Sequence, residues 1–349
     1  MKRFFGLVIA LAIVLAFSGC TTDTGTAPAS SGTSAGTDSG ADGAATATAY
    51  VFGISMPQLD NDGFKANLIG IQQAAEAFGD VELLVVDAQN NADTQMKQIE
   101  DFITKKVDAI VMCPVDSGAL SAAVQKANEA NIPVVAFDRN VSGGELTGLA
   151  ESDNAAHGAK AADLMKEAAE KAGMEVSELK VLELLGAQAA SAGLERHEGF
   201  SSRCEELGIE IVAALPTEFK MDNAYAAVLD AFQANGDINA IYIPSDNALY
   251  SGVESALTQI AKLVEIDQEG HIIITTVDGG PQGLNGIRNR YIDASAAQSK
   301  LIMSTEAMNI AYLAVTGQPI ETSVVKIQPT PVTLDNVDDP SLWANAINK

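Results

Sequence analysis

From Tyr50 onward, short apolar runs alternate with longer amphipathic stretches, and no other feature restricts the fold of this chain so tightly. Tyr50–Met56, Val81–Asp87, Asp108–Met112 and Pro133–Asp138 are rich in Val, Ile and Phe and too short for helices, so each reads as a buried strand. Between them a helix is predicted from Phe64 to Phe78. Another runs from Thr94, capped by Asp93, with Met96, Ile99 and Ile103 on one face; a third carries Leu120, Val124 and Ala127. The theme repeats with strands at 179–185, 210–215, 239–243 and 272–277 and helices near 191–207, 222–234 and 246–261. Repeated β-α-β units give parallel sheets with helices on both faces, so the expected fold is α/β, two doubly wound lobes in tandem. Ligands of such sheets sit beyond the carboxyl ends of the strands, which directs attention to Cys113, Asp138-Arg139, Gly186, Ser245-Asp246 and Asp278.

The N-terminus is a different kind of sequence. Lys2 and Arg3 precede an uncharged run from Phe4 to Phe17, suited to a signal-peptide core and short for a permanent bilayer span. Leu15-Ala-Phe-Ser-Gly-Cys20 resembles the lipobox of bacterial lipoproteins, with Phe17 where Leu is usual. That resemblance implies cleavage of residues 1–19 and lipidation of Cys20, holding the protein by acyl chains at the outer face of the cell membrane or in the periplasm. A plain secreted protein and a single N-terminal anchor helix are the alternatives. After Cys20, residues 21–49 contain no apolar side chain larger than Ala, and are expected to form a disordered tether.

Composition removes whole classes of function. The 349 residues carry 21 Lys+Arg against 46 Asp+Glu, a formal charge of −25, which argues against a nucleic-acid partner. No phosphate-cradling G-x-x-x-x-G-K-[ST], no G-x-G-x-x-G after the first strand and no G-x-S-x-G elbow occurs, and the three His (157, 197 and 271) are far apart. The three Cys are likewise not spaced as a metal knuckle. The chain is therefore expected to be no enzyme and to need no metal or cofactor.

What remains is a collinear series of polar strand ends. Val85-Val-Asp-Ala-Gln-Asn-Asn91, Pro114-Val-Asp-Ser117, Ala130 to Arg139, Glu151-Ser-Asp-Asn154, Glu195-Arg-His-Glu-Gly-Phe200, Ser245-Asp246 and Val277-Asp-Gly-Gly280 together resemble the ribose/galactose type of sugar-binding protein. These proteins deliver solutes to the permease subunits of ABC importers. The resemblance implies a periplasmic-binding-protein type I fold with three crossovers, near Ser152, Gln298 and Ile327. Residues 50–152 plus 299–327 would form the first lobe, and 153–298 plus 328–349 the second.

It also implies a ligand set of Asn61, Phe64, Cys113, Asp138, Arg139, Asn154, Leu194, Phe219, Ser245, Asp278 and Gln298. Sugar hydroxyls both donate and accept, so a carboxylate beside a forked guanidinium suits them; Asp138-Arg139 supply that pair, which without the resemblance reads as a loop ion pair. Asp278 is either a ligand group or the cap of a helix beginning near Pro281. Phe64 and Phe219 are either stacking platforms or core, and Asn61 is a ligand group or a turn residue. Gly63-Phe64 replaces the family's adjacent aromatics, while Cys113, Leu194 and Ser245 replace Asn, Arg and Asn. A different solute is thus implied, a pentose, hexose, deoxysugar or cyclic polyol with a less polar edge beside Leu194. The expected role is capture of a small neutral sugar or polyol by hinge closure, with a sensory receptor for chemotaxis or a sensor kinase as the alternative. Regulators of the lactose-repressor family share this core but begin with a helix-turn-helix, where this chain has a signal and a leash.

Overall fold

The computed structural model describes residues 50–347 apart from Ala189, all within one compact unit. The expected signal peptide, lipidation site at Cys20 and tether lie outside the described residues. The first half runs β1 (Tyr50–Met56), α1 (Asp62–Phe78), β2 (Val81–Asp87), α2 (Ala92–Lys105), β3 (Ala109–Met112), α3 (Ser121–Glu129), β4 (Val134–Phe137) and β5 (Gly148–Ser152). The second continues with α4 (Asn154–Lys171), β6 (Lys180–Leu185), α5 (Ser191–Leu207), β7 (Glu210–Pro216), α6 (Met221–Ala234), β8 (Ala240–Ile243), α7 (Asp246–Gln259), β9 (Ile273–Asp278), α8 (Pro281–Arg288) and β10 (Ala294–Ala297). Then come α9 (Lys300–Val315), β11 (Val324–Ile327), β12 (Thr330–Val332) and the short α10 (Trp343–Ala346).

Two six-stranded sheets result, ordered β11-β5-β4-β3-β1-β2 and β12-β10-β9-β8-β6-β7. Runs such as Ala109–Met112, Val134–Phe137 and Ala240–Ile243 are buried at every residue, as strands covered on both faces must be. The first sheet is parallel throughout, whereas in the second β12 pairs antiparallel with β10. That edge departs from the wholly parallel expectation because β12 follows β11 after only two residues and so enters from the opposite direction. The chain passes between the sheets after β5, after β10 and after β11.

The crossing segments are bonded to one another. Asp153 N–H donates to Ile327 O at 2.9 Å, Gln328 Nε2 donates to Asp153 Oδ2 at 3.1 Å, and the Ser299 and Thr330 hydroxyls lie 3.2 Å apart. Asp153 Oδ1 also caps α4 by accepting from Ala156 N–H, so one carboxylate serves both a helix start and a crossing. At α2 the cap is Asn91, accepting from Thr94 N–H, with Asp93 in the first turn instead.

One charged residue is buried inside the second sheet. Glu183 of β6 is 1% exposed, accepts from or shares a proton with His197 Nδ1 at 2.8 Å, and has no partner for Oε2. Burial pushes its carboxyl up to about 6, with His197 opposing. An unfolded chain ionises this group near 4.5 while the folded one holds the proton until about 6, so ionisation works against folding across that window. Glu183→Gln, which mimics the protonated group, should therefore gain on the wild type as pH rises from about 4.5 to 6, reaching about 2 kcal/mol and then levelling. Urea unfolding of both proteins between pH 4 and 8 checks this; a difference independent of pH would contradict it.

Candidate functional site

The carboxyl ends of both sheets open onto one cavity of about 750 Å³, a size usual for small-molecule sites. From the first sheet it is lined by Asn61, Phe64, Asp116, Asp138, Arg139 and Ser152; from the second by Asn154, Arg196, Phe219, Ser245, Asp278 and Gln298. Lys300 and Trp343 complete its wall. Three cationic side chains (Arg139, Arg196 and Lys300) face three carboxylates (Asp116, Asp138 and Asp278).

Each lobe contributes one carboxylate at the end of a strand, and both stand on left-handed backbone. Asp138, after β4, has φ 64°, and Asp278, closing β9, has φ 97°. Such torsions are uncommon for a residue with a side chain, and strained residues of this kind gather at ligand sites. Asp138 Oδ1 accepts from Lys300 Nζ at 2.9 Å, with Arg139 Nε 3.9 Å from Oδ2. Burial alone would raise its pKa, but Lys300 and Arg139 hold the carboxyl below its usual range, so it is ionised at neutral pH.

Asp278 Oδ1 accepts from Arg196 Nη1 at 3.1 Å and from Gln298 Nε2 at 3.0 Å, and Oδ2 accepts from Ser245 Oγ at 2.5 Å. It does not cap α8, whose N-cap is Gly280 with no side-chain bond. The turn beneath it is organised by Asp246, fully buried. Asp246 Oδ2 accepts from Thr276 Oγ1, Gly279 N–H and Ser295 Oγ, and Oδ1 accepts from Gly280 N–H at 2.8 Å. Burial and the neighbouring Asp278 charge raise the Asp246 carboxyl above the usual carboxylate range, and the bonds from Thr276, Gly280 and Gly279 oppose them. Trp343 Nε1–H donates to Asp278 O at 2.8 Å, tying the C-terminal segment to the same turn.

The aromatic residues serve two ends at once. Phe64 packs in the first lobe's core and also lines the cavity, with the Arg139 guanidinium 5.6 Å from its ring centre. Phe219 rests on Gly186, where a Cβ would lie 2.3 Å from the ring, so only glycine fits. Asn61 likewise lines the cavity and caps α1, its Oδ1 accepting from Gly63 and Phe64 N–H. Ser152 Oγ and Gln298 Oε1 are buried in the wall without a protein partner.

Two expected site residues are not brought to the cavity. Cys113 is fully buried in the core with its thiol pushed up to about 12, burial being the main cause. Leu194 is 42% exposed and outside the lining, so the apolar ligand edge expected beside it has no counterpart. Arg196, two residues on, reaches the cavity instead. On α5 the lining residues Ala192 and Arg196 are one turn apart and share a face, while Leu194 lies well round the helix. Cys204 is also buried, and both it and Cys113 are free thiols. Lys300 had a readable signal in its i+2 spacing from Gln298. Trp343 had none.

Comparison with known proteins agrees with the two-lobed fold. Residues 52–319 match the periplasmic binding protein domain. The chain is 29% identical over 276 residues to the ribose import binding protein of Bacillus subtilis, covering 79% of this chain and 85% of that one. It is 24% identical over 271 residues to the xylitol-binding protein of Mycolicibacterium smegmatis, covering 77% and 73%. Among solved structures, an ABC transporter solute binding protein from Bacillus halodurans with bound myo-inositol shares the fold at a TM-score of 0.70 and 24% identity, over 86% of this chain and 99% of that one. One from Actinobacillus succinogenes with bound D-allose does so at 0.71 and 24%, over 83% and 99%.

The turn carrying Asp278 depends on Asp246, so Asp246→Ala should strand two backbone N–H groups and two hydroxyls and cost about 2–4 kcal/mol in chemical denaturation. A loss under about 0.5 kcal/mol, the usual range of a surface change, would show that the turn holds without it.

Proposed function

Because the chain belongs to the periplasmic binding protein family, we propose that it is the sugar-capturing component of an ABC importer, closing its two lobes over a monosaccharide or polyol. The observation that carries this reading is the single cavity that joins Asp138 and Arg139 of one lobe to Asp278 of the other. A ligand touching both sides favours the closed arrangement by its differential contacts, and nothing is chemically transformed. The balance of three cations and three carboxylates in the wall supports a neutral solute. Nine residues carry the binding in this reading: Asn61, Phe64, Asp138, Arg139, Asn154, Phe219, Ser245, Asp278 and Gln298. Arg196 acts as the counter-charge of Asp278.

Relatives named for import favour delivery to permease subunits over a sensory partner. Export and anchoring through a lipidated Cys20 belong to the same proposal, supported by the Leu15–Cys20 motif. Micromolar affinity needs about 8 kcal/mol, within reach of several charge-assisted hydrogen bonds and one ring contact.

A thermal-shift panel of pentoses, hexoses, deoxysugars and cyclic and acyclic polyols should show a rise of a few degrees for one class, because a ligand that binds only the folded state stabilises it. The same compound should change the emission of Trp343, the sole tryptophan, which lines the cavity. A panel in which no compound moves either signal would remove the sugar reading. Gly186→Ala, by driving the Phe219 ring from its seat, should weaken the active compound about tenfold in calorimetric titration, about 1.4 kcal/mol. Unchanged affinity would show that Phe219 takes no part.

A further inference from the structure

Lys300 stands at the first position of α9, directly after the second crossing between the sheets, and its side chain turns back into the cavity. Only 12% of that side chain is exposed, and Nζ lies 2.9 Å from Asp138 Oδ1. Its placement is built in from both ends. The Lys300 carbonyl accepts from Asn67 Nδ2 at 2.9 Å and from Ser304 Oγ at 3.0 Å, and Asn67 and Ser304 are fully buried. At the other end the stem passes Gly63, whose missing Cβ would sit 3.7 Å from Lys300 Cε. Two residues earlier on the same crossing, Gln298 Nε2 donates to Asp278. One short segment thus holds a carboxylate of each lobe.

We propose that Lys300 is a specificity-determining residue of the cleft: its ammonium uses one acceptor position of Asp138 and its stem fills the space beside Gly63, so that a sugar meets a carboxylate flanked by an ammonium. The proposal rests on the sugar-binding reading. A free carboxylate accepts from two neighbouring hydroxyls through its two oxygens. Here Lys300 uses one of the acceptor positions of Oδ1, and Arg139 Nε stands 3.9 Å from Oδ2. A ligand suited to this wall donates one hydroxyl to Asp138 and presents a lone pair, on a ring oxygen or a second hydroxyl, to the remaining N–H groups of Lys300. Sugars that give Asp138 a hydroxyl but offer Lys300 no lone pair are selected against, because the ammonium then loses water without gaining a partner, which is discrimination in addition to attraction.

The test is calorimetric titration of the wild type, Lys300→Met and Lys300→Gln with D-ribose, D-xylose, L-arabinose, D-glucose, D-galactose and myo-inositol. Lys300→Met keeps the stem and removes the charge, and Lys300→Gln serves the same comparison where the Met variant lacks a cooperative melting transition. The expected result is a changed order of preference, with the affinity ratio between the best wild-type ligand and at least one other compound shifting tenfold or more. A common factor for every compound, or no change at all, would overturn the role of Lys300 while leaving sugar binding intact. Any compound that raises the melting temperature in the wider panel joins the titration, and if none of these compounds binds the wild type, the sugar reading fails, and this inference fails with it.

Discussion

Two carboxylates held at the ends of strands from different lobes are the constraint around which the rest of this structure is arranged. Neither Asp138 nor Asp278 is stable in its place without support. Each stands on left-handed backbone, and each is largely withdrawn from water, Asp278 with 14% and Asp138 with 17% of its side chain exposed. Lys300 and Arg139 answer the first charge; Arg196, Ser245 and Gln298 answer the second. Lys300 and Arg139 hold the Asp138 carboxyl below its usual range despite burial, and so keep that charge available to a ligand. The supporting layer extends inward through Asp246 and Trp343, which bind the backbone of the Asp278 turn and leave the carboxylate oxygens facing the cavity.

Much of this was readable in the sequence because parallel strands buried on both faces must be runs of apolar residues, and doubly wound sheets bring the residues after such runs to one edge. Asp138, Arg139, Ser245 and Asp278 all lie at that edge and all line the cavity. The same logic failed one residue after β3, where Cys113 continues inward and joins the core instead of turning to the edge. Strand β5, with the sequence GLAES, and helix α9, apolar on all sides, lack the periodicity that would reveal them.

Helix geometry explains a second kind of error. The family resemblance suggested Leu194 as the residue of α5 that meets the ligand, but a helix brings residues four apart to one face, and Arg196 aligns with Ala192. Trp343 is different again. It reaches the cleft only because the chain returns through β12 to the second sheet and then runs on to the Asp278 turn, a path that no local pattern encodes.

The placement of the crossings has its own physical consequence for binding. Asp153, Ser299, Gln328 and Thr330 bond the three connecting segments together, so the lobes are joined by a braced strip and not by three independent tethers. A braced strip restricts relative motion to rotation about itself, which lowers the conformational entropy that closure must remove and leaves more of the ligand's contact energy to appear as affinity. Gln298 belongs to that strip and also donates to Asp278, while Asp153 binds the strip and caps α4, which begins with the cavity residue Asn154. Rotation at the strip therefore changes the position of site residues directly. Ligand contact and lobe angle are thus two descriptions of one coordinate, the condition under which a small solute can report its presence through the shape of a whole protein.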